Sequence, residues 1–313
     1  MFNFLRRGFM DNRFDVLIIG AGPAGLTAAL YLARNDYNVA FIEGYAPGGK
    51  MVQQSKIENY PGFNFISGFE LSINMLNQAK NNGAKQIFGM VSDIESISET
   101  EKVVTLQNGN KYYASAIVIA TGMVNLVPTS VENIEKFNGK GVSYCAICDG
   151  ALFKNQPCAI IGGGNSAFEE SSYLASTASE VHIFVRDEVK AEARIINDAK
   201  KHSNIFIHYN SQILKLNGDD KVESIVANVD GEIKEMNIKG VFPYIGFKAA
   251  TSFISDKSLL NERGFIIVDK NMETKEKNIF AIGDVIAKDI RQITTATNDG
   301  TIVAKTISSR IVK

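Results

Sequence analysis

Two glycine-rich turns constrain the fold of this chain more than any other feature. Gly20-Ala21-Gly22-Pro23-Ala24-Gly25 follows the apolar run from Asp15 to Ile19, and Gly162-Gly163-Gly164-Asn165-Ser166-Ala167 follows the run from Cys158 to Ile161. A strand that runs into such a turn and then into a helix opens a nucleotide-binding βαβ unit. The glycines permit the tight turn and let the backbone approach a pyrophosphate, and the helix N-terminus supplies the N–H groups that face it. Each turn is followed by a second apolar strand that ends in an acidic residue, Glu43 in one case and Asp187, after Arg186, in the other. Such a residue can accept a hydrogen bond from ribose hydroxyls. The third glycine of the pattern is replaced by Ala167 in the second turn, a tolerated variant. The chain therefore predicts an α/β fold with two Rossmann-like dinucleotide-binding domains.

The order of the remaining elements predicts that the second copy is inserted into the first. A helix from Leu26 to Asn35 and a strand from Val39 to Glu43 follow the first turn. Residues 44–62, with Pro47-Gly48-Gly49 and Pro61-Gly62, read as a loop over a ligand. A helix from about Gly68 to Asn82 precedes an antiparallel β excursion over 85–97, 102–107 and 111–119. The second unit repeats strand, helix and strand from Cys158 to Arg186, adds its own β excursion to about Pro243, and gives way to Asn278–Asp284 and a final helix from about Thr294. The expected domains are 1–122 with 248–313, and 123–247. Ala120-Thr121-Gly122 and Tyr244-Ile245-Gly246-Phe247 are the expected crossings.

Between the turns lies Cys145-Ala146-Ile147-Cys148-Asp149-Gly150. Two cysteines at this spacing can close a small disulfide ring and open it again. Zinc would need about four ligands, and only Cys158, His182, His202 and His208 remain, with no second paired motif. No metal site is expected. Two inert thiols are the other plain reading. Asp149 is placed to hand a proton to a leaving thiolate, provided it is partly buried, and a helix cap is its ordinary alternative. Cys158 reads as a core residue, and the histidines are assigned no chemistry.

A hydrophobic content of 45%, a charged content of 21% and a net charge of −1 are ordinary for a soluble globular chain, and the spread of Lys and Arg offers nothing to nucleic acid. The longest uncharged run, Val16–Ala33, contains Gly20, Gly22, Pro23 and Gly25 and is broken as a membrane helix. Met1–Met10 lacks the pattern of a secretory signal and reads as a loose extension, with Met10 a possible start. Three cysteines are too few for a disulfide scaffold, so a cytoplasmic location is expected.

Asp187 also bears on the nicotinamide cofactor. A carboxylate there binds a ribose 2′-hydroxyl and repels a 2′-phosphate, which leans toward NADH, although Lys190 and Arg194 stand near enough to offer a phosphate some charge.

Together these motifs resemble the bacterial low-molecular-weight thioredoxin reductases, from about Asp15 onward. The marks are GAGPAG, Pro47-Gly48-Gly49, Glu58 to Gly62, Ala120-Thr121-Gly122, Cys145 to Gly150, GGGNSA, and Gly283-Asp284-Val285 followed by Arg291-Gln292. The resemblance implies FAD in the domain built from the two ends of the chain and NAD(P)H in the inserted one. It implies Gly20, Gly22, Pro23, Ala24 and Gly25 at the pyrophosphate and Glu43 at the adenosine ribose. Gly48, Gly49, Asn59, Thr121 and Gly122 would lie about the flavin, with Gly283-Asp284 on its ribityl chain and Arg291-Gln292 beside its ring. Gly162, Gly164, Asn165, Ser166, Ala167, Arg186 and Asp187 would face the nicotinamide nucleotide. Cys148 would face the flavin, Cys145 would attack the disulfide of thioredoxin or a thioredoxin-like protein, and Asp149 would be the acid. The family also implies a homodimer and two alternating domain orientations.

Two departures stand out. The family's His-Arg-Arg and later Arg, which bind the 2′-phosphate of NADPH, are matched here by Val185-Arg186-Asp187 and Ala191, and Asp187–Glu192 is similar to the NADH-using flavoprotein subunit of alkyl hydroperoxide reductase. Lys50 stands where the family has Gln, which would place a positive charge close to the flavin. A reductase that feeds a peroxiredoxin or another thioredoxin-like protein, and a flavin-binding redox sensor without turnover, are the alternative functions.

Overall fold

The computed structural model describes residues 12–54 and 56–311, so the expectations for Met1–Met10 lie outside the described residues. The elements run β1 (Arg13–Ile19), α1 (Pro23–Arg34), β2 (Val39–Glu43), α2 (Gly68–Asn81), β3 (Lys85–Phe88), β4 (Val91–Ser96), β5 (Lys102–Leu106), β6 (Lys111–Ile119) and β7 (Met123–Asn125). They continue with α3 (Ala146–Asp149), β8 (Pro157–Ile161), α4 (Asn165–Ala175), β9 (Glu180–Phe184), α5 (Ala193–Ala199), β10 (Ile205–His208), β11 (Ser211–Asn217), β12 (Ser224–Val229), β13 (Glu232–Met236) and β14 (Gly240–Pro243). Last come β15 (Phe247–Ala249), β16 (Ile279–Ala281) and α6 (Ile293–Arg310).

The chain divides into two compact units, 1–124 with 249–313, and 125–248. It passes between them through β7 and β15, which pair as a two-stranded ribbon.

In the first unit a seven-stranded sheet has the order β3-β2-β1-β6-β5-β4, with β16 also on β6. Val16 and Ile18 enter the core on one face, and Leu17 and Ile19 enter the core on the other. A strand buried on both faces needs a continuous apolar run rather than an alternating one, which is what β1 carries. The expected antiparallel excursion begins later than the sequence pattern predicts. β3 pairs parallel to β2, with Ala40 opposite Lys85, and only β4, β5 and β6 form antiparallel pairs. The physical reason is α2, because a helical crossover returns the chain in the direction it came from.

The second unit repeats the parallel arrangement as β10-β9-β8-β14 and carries β11-β12-β13 as an antiparallel three-stranded sheet. The alternation along β8 is the same as in β1: Ala159 packs on one side, Cys158 and Ile160 on the other.

Candidate functional site

At the first turn, two positions leave no room for a side chain. Gly20 has φ +105°, and a Cβ there would lie 2.5 Å from the Ala120 carbonyl oxygen. A Cβ on Gly25 would lie 2.1 Å from the Gly20 oxygen, so α1 can rest on the turn only without a side chain there. Gly22 is different, since a Cβ on it meets nothing within 4 Å. It is the extended N-cap of α1, no side chain caps the helix, and Pro23 takes the position where a missing N–H is harmless. An uncapped helix start facing open space beside a bare glycine fits a pyrophosphate. Glu43 is fixed next to it: one carboxylate oxygen accepts from the Ala21 N–H and the other from the Tyr45 N–H, each at 2.9 Å. Both oxygens keep a lone pair for ribose hydroxyls.

Residues far apart in sequence meet elsewhere in this unit. Asn59 Nδ2 donates to Gln292 Oε1 at 3.0 Å, and Gln292 caps α6 through a reciprocal pair with Thr295. Asp284 sits in the short turn after β16 and pairs with Lys50 at 2.9 Å. Lys50 thus spends its charge on the carboxylate that the resemblance places at the ribityl chain. Arg291 stacks over the Phe265 ring at 4.5 Å and reaches the backbone oxygens of Asp284 and Ile286. Thr121 donates to the Ala250 oxygen at 2.8 Å, and Gly122 has φ +66°. Gly48 and Gly49 also have positive φ, and Gly48 precedes a 3-10 turn, Gly49–Gln53, inside the expected loop.

The second turn repeats the design with one change. A Cβ on Gly162 would lie 2.3 Å from the Tyr244 oxygen, and Gly164, the uncapped N-cap of α4, again has nothing within 4 Å. Ala167 lies fully buried where the first copy has Gly25. Asn165 is held by Glu192 in both directions, donating to its carboxylate at 3.1 Å and accepting from its N–H at 2.8 Å. Arg186 and Asp187 are exposed and pair with each other at 2.8 Å.

Cys145 and Cys148 form a disulfide. Cys145 is buried and caps α3, its sulfur accepting from the Cys148 N–H at 3.1 Å, and Cys148 is exposed. Asp149 does not act as a helix cap here. Its carboxylate accepts from the Ser143 hydroxyl at 2.6 Å, and that hydroxyl accepts from the Cys145 N–H at 3.1 Å. The Ala146 N–H donates to the Tyr244 hydroxyl at 3.0 Å. Ser143 and Tyr244 carry no signal as site residues in the sequence, because a lone hydroxyl at no fixed spacing makes no pattern. Cys158 is a buried core thiol, pushed up to about 12 by burial. No cluster of metal-ligating side chains occurs among the described residues, and no helix there is long and apolar enough to cross a membrane.

Two uncapped helix starts after glycine turns and a disulfide on a short turn define a class of redox enzyme, and the chain belongs to it. It is a member of the pyridine nucleotide-disulphide oxidoreductase family, whose model matches residues 14–300, and it is an oxidoreductase. The family implies FAD and a nicotinamide nucleotide. The chain is 44% identical over 301 residues to the thioredoxin reductase of Mycoplasmopsis pulmonis, covering 96% of this chain and 98% of that one. Its structure is similar to the thioredoxin reductase of Lactococcus lactis, at 38% identity and a TM-score of 0.87, covering 95% of this chain and 98% of that one. It is also similar to that of T. acidophilum, at 33% identity and a TM-score of 0.85 with the same coverage.

Proposed function

We propose that this chain is a flavin-dependent thioredoxin-disulfide reductase that draws its electrons by preference from NADH. The observation that carries the reading is the Cys145–Cys148 disulfide, set on a turn packed against the helix of the second nucleotide turn. The similarity to thioredoxin reductases over nearly the whole chain supports thioredoxin as the partner. Bound FAD supplies a ring that accepts a hydride from a reduced nicotinamide and returns two electrons to a disulfide.

The residues of the chain do the rest. The N–H groups at the start of α1 and the bare Cα of Gly22 receive the pyrophosphate, and Glu43 receives the adenosine ribose. Lys50 holds the Asp284 carboxylate in place. Gly164 and the start of α4 receive the nicotinamide nucleotide, and Asp187 disfavours a 2′-phosphate by charge. Cys148 accepts the electrons, Cys145 attacks the disulfide of the partner, and Asp149, steadied by Ser143, delivers the proton to the departing thiolate. The 1–122 and 248–313 segments would act as the FAD domain and 123–247 as the nicotinamide domain, in a cytoplasmic homodimer.

The test is a Cys148→Ser variant assayed with thioredoxin and each nucleotide. Flavin should stay bound while thioredoxin reduction is abolished, and retained turnover would refute the disulfide route. In the unsubstituted enzyme, a kcat/KM ratio that favours NADPH would overturn the nucleotide preference alone. Turnover only with a peroxiredoxin-type partner would move the chain to that alternative.

A further inference from the structure

Beneath the redox turn lies a carboxyl that the proposed reaction leaves unused. Glu170, on α4, is 8% exposed, and its Oε2 is buried with no hydrogen-bond partner among the described residues. The charge that acts on it is that of Glu169, a second carboxyl on the same helix, and burial followed by this repulsion pushes it up to about 7. α3, the turn that carries the disulfide, packs against α4, and a Cβ on Gly150 would lie 3.0 Å from Leu174.

The link from Glu170 to the disulfide is Tyr244, which follows β14. Its phenol is pushed up by burial first and then by the charge of Glu170, so the two groups are electrostatic neighbours. Its hydroxyl accepts from the N–H of Ala146, between the two cysteines. Asp149 also bears on Tyr244. Both carboxyls act on one tyrosine by charge, but they are not equivalent: Asp149 accepts from the Ser143 hydroxyl, whereas the Oε2 of Glu170 is met by no donor among the described residues.

We propose that Glu170 is the proton reservoir of the redox turn, binding a proton when the Cys145–Cys148 disulfide is reduced and releasing it when the disulfide re-forms. This rests on the reading that the disulfide cycles. Two electrons, drawn from the reduced nicotinamide of the proposed reaction, break the S–S bond. One sulfur takes a proton and becomes a thiol, and the other holds the remaining charge as a thiolate. That new negative charge raises the proton affinity of a carboxylate on the helix packed against the turn. A second proton then passes from solvent to the Glu170 carboxylate, so the step consumes two electrons and two protons. On re-oxidation the S–S bond forms again and both protons leave.

The sign of the linkage sets the window for the test. Below about pH 7 Glu170 carries its proton in both redox states. Above that pH it is ionised beside the disulfide and still protonated beside the thiolate, so the extra proton is taken up only there. The measurement is the equilibrium of Cys145–Cys148 against a dithiol reference in the flavin-loaded protein, by thiol trapping, between pH 7 and 8. Glu170→Gln keeps the shape and removes the titration. The equilibrium constant of the unsubstituted protein should change with pH by up to about tenfold more per pH unit than that of Glu170→Gln, which is about 30 mV per pH unit for a two-electron couple. Glu170→Asp, which restores a carboxyl, should recover part of the extra slope. Equal slopes in the unsubstituted protein and Glu170→Gln would overturn the reservoir and leave the proposed function intact. A disulfide that the dithiol reduces at no pH would instead remove the proposed function. If Glu170→Gln fails to fold, infrared difference spectra of an Asp149→Asn protein decide the matter. Reduction at pH 7.5 should add a protonated-carboxyl band, and its absence would overturn the proposal.

Discussion

Gly25 and Gly22, two of the three glycines of the first turn, make a prediction in which stability and cofactor retention separate. Gly25→Ala puts a methyl group 2.1 Å from the Gly20 oxygen and 3.3 Å from the Ala120 Cβ, where ordinary contact begins at 3.4 Å. The obstacle at Gly20 is backbone, so α1 must retreat by more than 1 Å. It cannot do so freely, because α6 crosses it so closely that a Cβ on Gly300 would lie 2.5 Å from the Ala24 oxygen. Overpacking of this kind costs typically about 1–3 kcal/mol, and a backbone obstacle held from both sides places this one near about 3 kcal/mol. At roughly 2–4 °C per kcal/mol the melting temperature should fall by about 6–12 °C. Gly22→Ala is the contrast. Its methyl group meets no protein atom within 4 Å and its φ of −75° suits alanine, so the cost is that of a poorer N-cap, about 0.5–1 kcal/mol. That methyl group occupies the space a pyrophosphate would fill, so flavin should be lost all the same. Calorimetry of flavin-free protein and flavin content after gel filtration measure the two effects separately. A Gly22→Ala protein that keeps its flavin, or a Gly25→Ala protein that melts like the parent, would refute the reasoning.

Two further expectations follow from buried groups. Cys158, pushed up to about 12, is a thiolate in roughly one molecule in ten thousand at pH 8. After mild reduction, alkylation at that pH should label Cys145 and Cys148 and spare Cys158 until the protein is unfolded, as mass spectrometry would show. Lys288 and Asp299 form an ion pair at 2.7 Å with 15% and 7% of their side chains exposed, and Asp299 also accepts from the Gly283 N–H. Lys288→Ala should cost about 3 kcal/mol, because it strands a buried carboxylate, and denaturant unfolding would measure it.

The residues that were legible in the sequence are those whose role is set by neighbours in the chain. β1 announces itself by an unbroken apolar run, the turns by their glycines, and the disulfide by its spacing. Pairings decided by tertiary packing left no such mark. The Lys50–Asp284 and Asn59–Gln292 pairs join segments that only the folded sheet brings together, and Gly300 looks like any glycine until α1 is seen against it. The direction of β3 is hidden for the same reason: its own residues do not say which neighbour it pairs with. Nothing in the sequence marks Glu170, because a Glu pair on a helix reads as solvated surface, and only the folded structure shows one of the two to be buried.

The close crossing of α1 and α6 also fixes an order of events during synthesis. Asn35 bonds Ser308 across 273 positions, and β16 completes the sheet only by pairing with β6. The inserted unit, 125–248, needs no contact with so late a segment to close its own parallel sheet. As the nascent chain lengthens, the middle of the protein can therefore finish folding while the first turn still waits for its last helix. A ribosome stalled before Ile293 would carry a folded disulfide turn and no completed flavin site.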